Sequence, residues 1–394
     1  MFMKKEKRRK DKVRIIGVDG RCLLDANYTG VSEYTVFLLK KILRDYPNYR
    51  LRVFVNSFHK VELKKKLPWL YRSQRVEVKY YRIPNKLLNF SFWFFGWPKL
   101  DKLLGGVDLL LVPNISFLAV SKDVFFILTL HDLSFERWPE TFSRKRRWWH
   151  FFVNPRRLAQ RANEIWTVSD STKSDLVDLY GVQKEKVKVK NLFEAKIISG
   201  PNKLDERRKR EVRKKYNLPD KFALYLGTIE PRKNILTLLK TFVYLWEKKL
   251  IDQRCKLVLA GQLGWKYGEV VKFIEKSSWR RNIILTEFIE SKDKRCLYAM
   301  AELFVYPSLF EGFGIPVLEA MAMGTPVITG DNSSLPEVVG SAGIMVDVER
   351  IDELAEAIRL ILNNPHLADY YRRKGRRQAQ IINDRSAKTK LFAD

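Results

Sequence analysis

Two glutamates, Glu311 and Glu319, bracket a short turn, Gly312, Phe313 and Gly314, that runs into the apolar stretch IPVLEAMAMG. Backbone amides at a helix start attract an anion, and a carboxylate accepts paired hydroxyls, so this layout suits a phosphorylated sugar. An ordinary strand-turn-helix with a solvated acid on each side has the same pattern. A second basic feature stands in LYLGTIEPRKN, where Arg232 and Lys233 directly precede Asn234. With Asn234 as N-cap, the pair would stand beside free amides and a positive dipole end, a geometry that fits a diphosphate. In a chain with 74 lysines and arginines, a solvated loop accounts for the same two residues. His131 and Asp132 close the apolar run FFILTL, and Gly30 precedes a helical pattern with Val36, Leu39 and Leu43 on one face. Both places admit ligand contact. Both also admit a packed histidine, a capping aspartate and an ordinary glycine.

The elements that must position these groups follow from short apolar runs alternating with amphipathic stretches, the pattern of parallel sheets covered by helices on both faces. Strands are expected at VRIIGVD, YRLRVFV, RVEVKYYRI, VDLLLVP, FFILTLHD and EIWTVS in the first half. FALYLGT, CKLVLAG, IILTEFI, LFVYPS and TPVITGD follow in the second. The polar stretch 199–220 separates the halves. The expected organisation is a Rossmann-like domain over 1–195, a second over 196–370, and a basic terminal helix over 371–394 that is either solvated or packed back onto the first domain. Ligands of such sheets bind outside the strand C-terminal ends, which places the site in an interdomain cleft.

The formal charge of +29 over 394 residues predicts attraction to an anionic surface. No helix-turn-helix, zinc-finger or RNP pattern accompanies it, so a membrane face is a stronger candidate than nucleic acid. Two stretches, 87–100 and 142–157, mix aromatic with basic residues, as membrane-interface segments do; a helix burying its rings in the core is the competing reading. Three scattered cysteines suit a reducing compartment and form no metal pattern. The basic start lacks a secretory core, and no apolar run is long enough to span a bilayer. These features predict a cytoplasmic protein held peripherally at the inner membrane face.

VDGR with TGVSEY, then HDLSFERWPETFS, ANEIWTVSDSTKSDL, LYLGTIEPRKN and YPSLFEGFGIPVLEAMAMGTPVI, occur in an order that resembles the retaining glycosyltransferases of family 4, above all bacterial mannosyl- and rhamnosyltransferases. The resemblance implies the α/β GT-B fold, two Rossmann-like domains facing a cleft. It implies transfer of a hexose, mannose from GDP-mannose being the leading case, from a nucleotide sugar to a lipid-linked or cell-surface glycan in polysaccharide biosynthesis. It further implies that Arg232 and Lys233 neutralise the donor diphosphate and that Glu319 holds the ribose. Glu311 and His131 would face the sugar, and Gly30, Gly227, Thr228 and the Gly312–Phe313–Gly314 turn would line the donor. No metal or other cofactor is expected. A catalytically idle relative acting as a membrane- or polymer-binding scaffold is the alternative from another class. The chain departs from the family pattern at Thr29, at Glu287, where glycine is common, and in NLFEA at 191–195.

Overall fold

The computed structural model describes residues 14–24, 30–59, 61–192 and 204–392. The basic start, Thr29 and the expected boundary near residue 196 lie outside them. The chain forms two compact units: 1–133 with 148–193 and 389–394, and 134–147 with 194–388.

The first unit carries seven strands: β1 (Arg14–Asp19), β2 (Tyr49–Asn56), β3 (Val76–Tyr81), β4 (Leu109–Val112), β5 (Phe125–Leu130), β6 (Glu164–Thr167) and β7 (Val187–Val189). Their order is β3-β2-β1-β4-β5-β6-β7, with every pairing parallel. The second unit has β8 (Phe222–Leu226), β9 (Lys256–Ala260), β10 (Ile283–Leu285), β11 (Leu303–Tyr306), β12 (Val327–Gly330) and β13 (Ile344–Val346), ordered β10-β9-β8-β11-β12-β13 and again parallel. All of β8, β11 and β12 is buried, which is why these segments read as unbroken apolar runs instead of alternating.

Strand order reverses between β1 and β4 in one sheet and between β8 and β11 in the other. These reversals open a crevice at the strand C-terminal ends. In the second sheet that crevice receives the residues after Leu226 and after Tyr306, the two segments singled out for their chemistry.

Two segments leave their own half of the chain. Residues 134–147 belong to the second unit, where the Trp265 indole donates to the Thr141 carbonyl at 2.7 Å and the Arg146 guanidinium lies 3.9 Å over the Trp265 ring. The terminal helix, Pro365–Lys388, packs on the helices Ile315–Met323, Leu335–Val339 and Ile351–Asn363 of the second unit. Beyond it, Leu391 and Phe392 lie in the first unit, donating their amides to the Tyr46 hydroxyl at 2.9 and 3.2 Å.

Candidate active site

β8 ends at Leu226, and the chain then passes through Gly227, Thr228 and Glu230 into a tight turn, Pro231–Lys233, before the helix Ile235–Glu247. Asn234 does not cap that helix with its side chain. It sits at φ 56°, and its amide donates to the Val348 carbonyl at 2.9 Å, so the sequence expectation of an N-cap fails. A left-handed asparagine serves the turn instead, tying it to the segment after β13.

Arg232 and Lys233 are not solvated loop cations. The Lys233 ammonium donates to the Glu311 carboxylate and, at 2.8 Å, to the Tyr306 hydroxyl. Arg232 reaches Glu230 at 3.0 Å, the Phe310 carbonyl, and Glu311 at 3.5 Å. All four charged side chains are buried or nearly so, with relative exposures of 5% for Glu230, 14% for Arg232, 8% for Lys233 and 10% for Glu311. Ser308 donates to Glu311 Oε1 at 2.6 Å, the Ser334 hydroxyl donates to its carbonyl, and its amide donates to Ser333. Two cations and two carboxylates therefore share one buried crevice.

Burial alone would raise the Glu311 carboxyl, but the Lys233 and Arg232 charges outweigh it and hold the group well below the usual carboxylate range. Lys233 shifts down as well, through burial and the adjacent Arg232 charge, against the pull of Glu311 and Glu230. Glu230 moves the other way, raised by burial despite Arg232 and Lys233. Glu311 Oε1 is occupied by Lys233 and Ser308, which leaves Oε2, 3.5 Å from Arg232, as the oxygen with capacity for a further donor.

Beside this cluster starts the helix Ile315–Met323, with Pro316 in its first turn and Gly314 before it at φ 101°. A Cβ at Gly314 would also stand 2.9 Å from Leu335, so the turn requires glycine twice over. The first amides of a helix have no intrahelical acceptor, and these point away from the helix body. Glu319 lies in the second turn, half-buried, and accepts from the Tyr298 hydroxyl at 2.9 Å. The two glutamates therefore occupy different settings, one locked among charges and one at a partly open edge.

Gly227 and exposed Thr228 line the turn after β8; the Tyr225 hydroxyl donates to the Thr228 carbonyl at 3.1 Å. A Cβ at nearby Gly261 would meet the Gly227 carbonyl at 2.1 Å, so the ends of β8 and β9 approach closer than any side chain allows. Glu287, just beyond β10, holds φ 56°, a left-handed conformation that glycine would adopt without strain. Sequence reasoning assigned no role to Glu230, Tyr306 or Ser308. Glu230 lay within LYLGTIEPRKN two residues before Arg232, and the polar ends of LFVYPS were the available signal for the other two.

His131 and Gly30 belong to the first unit. Gly30 opens the helix Gly30–Asp45 and is exposed. His131 Nε2 is 2.8 Å from the Pro113 carbonyl, and its ring meets Tyr34 edge-on at 4.9 Å. Burial lowers its pKa, favouring the neutral ring; a carbonyl partner then requires the proton on Nε2 and leaves Nδ1 as an acceptor. At the β1/β4 reversal the same unit holds a pocket of about 420 Å³. Asn56, Asn85, Asn89, Asn114, Ser116 and Trp149 contribute to its lining, with the Asp19–Arg21 pair at 2.6 Å in its wall.

Comparison with known proteins gives this geometry a context. Residues 28–190 match the family described as Glycosyltransferase Family 4, and residues 207–378 match Glycosyl transferases group 1. The chain is 33% identical over 258 residues to O-antigen chain mannosyltransferase B of Escherichia coli, a match covering 64% of this chain and 65% of that one. It is 30% identical over 221 residues to the serotype-specific mannosyltransferase WbdA of Escherichia coli, covering 54% of this chain and 26% of the relative. The matches thus span less than two thirds of either relative. HepE of Anabaena, solved with UDP and glucose, has the same fold at a TM-score of 0.69 and 19% identity, covering 95% of this chain and 98% of that one. The two doubly wound units are those of the GT-B fold.

Proposed function

We propose that this chain, whose two halves match Glycosyltransferase Family 4 and Glycosyl transferases group 1, is a family 4 glycosyltransferase that moves a hexose from a nucleotide-diphosphate sugar to a glycan acceptor with retention of configuration and without a metal. The observation that carries the reading is the buried Glu230–Arg232–Lys233–Glu311 cluster at the β8/β11 reversal, set beside the glycine-led start of the helix Ile315–Met323. Within the cluster, two cations stand against two carboxylates. A diphosphate supplies negative charge that Arg232, Lys233 and the helix amides meet together, and the same groups stabilise the charge that grows on the diphosphate as it leaves.

Glu311 fixes the Lys233 ammonium through Oε1 and presents Oε2 to a sugar hydroxyl. Glu319, with its edge partly open, accepts from the ribose. In the first unit, the asparagine-rich pocket supplies amides of both polarities for a neutral polyhydroxyl acceptor, with Trp149 as an apolar face for a pyranose ring. Mannose from GDP-mannose is the favoured donor, because the two curated relatives described above are named mannosyltransferases. The favoured acceptor is a lipid-linked or surface glycan.

Thermal shift of the purified protein against a panel of nucleotide sugars, followed by NMR of the transfer product, tests this. The reading predicts the largest stabilisation by GDP-mannose and an α-linked product formed in the presence of EDTA. Inertness towards every nucleotide sugar would instead favour the scaffold alternative.

A further inference from the structure

Apart from the buried Phe92, the rings of stretch 87–100 and those of residues 148–152 lie on the outside of the first unit, whereas Phe142 is buried in the second. The helix Asn85–Phe94 buries only Leu88 and Phe92, and Arg144–Val153 buries only Val153. Phe94 is 64% exposed, Trp97 67%, Trp148 61% and Phe151 71%. This excludes the core reading for these rings, since a core helix turns its largest side chains inward.

The two helices make one patch. Trp93 meets Phe152 across them at 5.3 Å, Phe90 stacks on Phe94 at 5.5 Å, and Trp148 stacks on Phe152 at 5.8 Å. A contiguous exposed cluster of this kind marks an interaction surface. Its surroundings specify the partner's charge: no aspartate or glutamate occurs in residues 83–100 or 143–161, while Lys86, Arg144, Lys145, Arg147, Arg156 and Arg157 are all exposed.

We propose that the helices Asn85–Phe94 and Arg144–Val153, with the turn through Trp97, form a single docking surface that inserts its rings into an anionic lipid bilayer. Rings at headgroup depth with cations facing acidic lipid account for both halves of the composition. A second copy of the chain fits poorly, because a two-fold interface would set these basic residues against their own equivalents. Single-stranded nucleic acid fits poorly too, because bases need free ring faces and these rings are stacked on one another. Among the described residues no helix is long and apolar enough to cross a membrane, so the surface rests in the interface.

Trp149 connects this surface to the acceptor reading. It lines the asparagine-rich pocket, and its neighbours Trp148 and Phe151 belong to the docking face. An acceptor whose lipid carrier remains in the leaflet would present its glycan at that pocket. This last step rests on the proposed transferase function, whereas the docking itself does not.

Co-sedimentation of the full chain with vesicles of phosphatidylcholine, alone or mixed with phosphatidylglycerol, tests the surface. Wild type is expected to sediment with the mixed vesicles, less so as salt rises, with tryptophan emission shifted to the blue. Phe94→Ser combined with Phe151→Ser should cut the bound fraction about tenfold. Lys145→Glu combined with Arg147→Glu should abolish the preference for phosphatidylglycerol. Both doubles should keep the wild-type unfolding temperature and the wild-type rate of donor hydrolysis. The proposal is overturned if wild type ignores both vesicles or if the aromatic double binds them undiminished. It is equally overturned if that double only breaks a dimer or only loses single-stranded DNA. Vesicle binding without any sugar transfer would sink the transferase reading alone, and transfer to a soluble acceptor without vesicle binding would sink only the docking surface.

Discussion

The two strand-order reversals of this chain hold opposite kinds of polarity. At β8/β11, four charged side chains are buried in mutual contact, with Lys233 and Glu311 as the central pair. At β1/β4, one ion pair among the described residues, Asp19–Arg21, stands beside amides and hydroxyls that line an open pocket. The same kind of strand-order reversal therefore yields one site of mutually paired charges and another that offers neutral hydrogen bonds. On the proposed function, the donor diphosphate belongs at the charged reversal and the uncharged acceptor at the neutral one.

Breaking the charged side should have the largest effects. Lys233→Met leaves Glu311 buried with only the more distant Arg232, and should lower stability by about 3 kcal/mol and remove donor hydrolysis, read by denaturant unfolding and by release of free sugar. Glu311→Gln keeps the shape but loses the charge that fixes Lys233, and should reduce kcat about a hundredfold with little change in the unfolding midpoint at low pH. Glu319→Ala removes one carboxylate from a partly open edge, so the donor KM should rise about tenfold while kcat holds. On the neutral side, Trp149→Ala should raise the acceptor KM about fivefold and leave donor hydrolysis unchanged. Equal effects of Trp149→Ala on both substrates would erase the contrast between the two edges.

A pH experiment sharpens the same comparison. Glu311 has its carboxyl lowered in the folded state, so its contribution to stability is complete above the ordinary value of 4.5 and is lost as pH falls towards about 2. The unfolding-temperature gap between wild type and Glu311→Gln should therefore close over that window. Glu230 has the opposite sign: burial raises it, its ionisation costs stability, and Glu230→Gln should gain stability relative to wild type as pH rises through and above the ordinary carboxylate range. Parallel curves for the two variants would contradict the placement of their charges.

Much of this was legible in the sequence. The fully buried strands announced themselves as apolar runs, and glycine at 314 and 324 marked both ends of the helix Ile315–Met323. β7 and β13 went unread because each is three residues long, at a sheet edge, with too few positions to show a pattern. Asn234 misled because asparagine serves both caps and left-handed turns, and its contact with Val348 is 114 residues distant. Glu230 was visible but not interpretable: only the fold brings it, Arg232 and Glu311 into one crevice. Composition could not say whether the aromatic rings faced in or out, since helix periodicity is blurred when both faces are apolar.

Calorimetric titration of GDP-mannose into wild type and into an Arg232→Met variant probes the charged cluster as a donor site. Saturable binding to wild type is expected, weakened at least tenfold in the variant because the diphosphate loses its bidentate partner. No binding to wild type, or equal affinity in both proteins, would contradict a donor site built on the Glu230–Arg232–Lys233–Glu311 cluster.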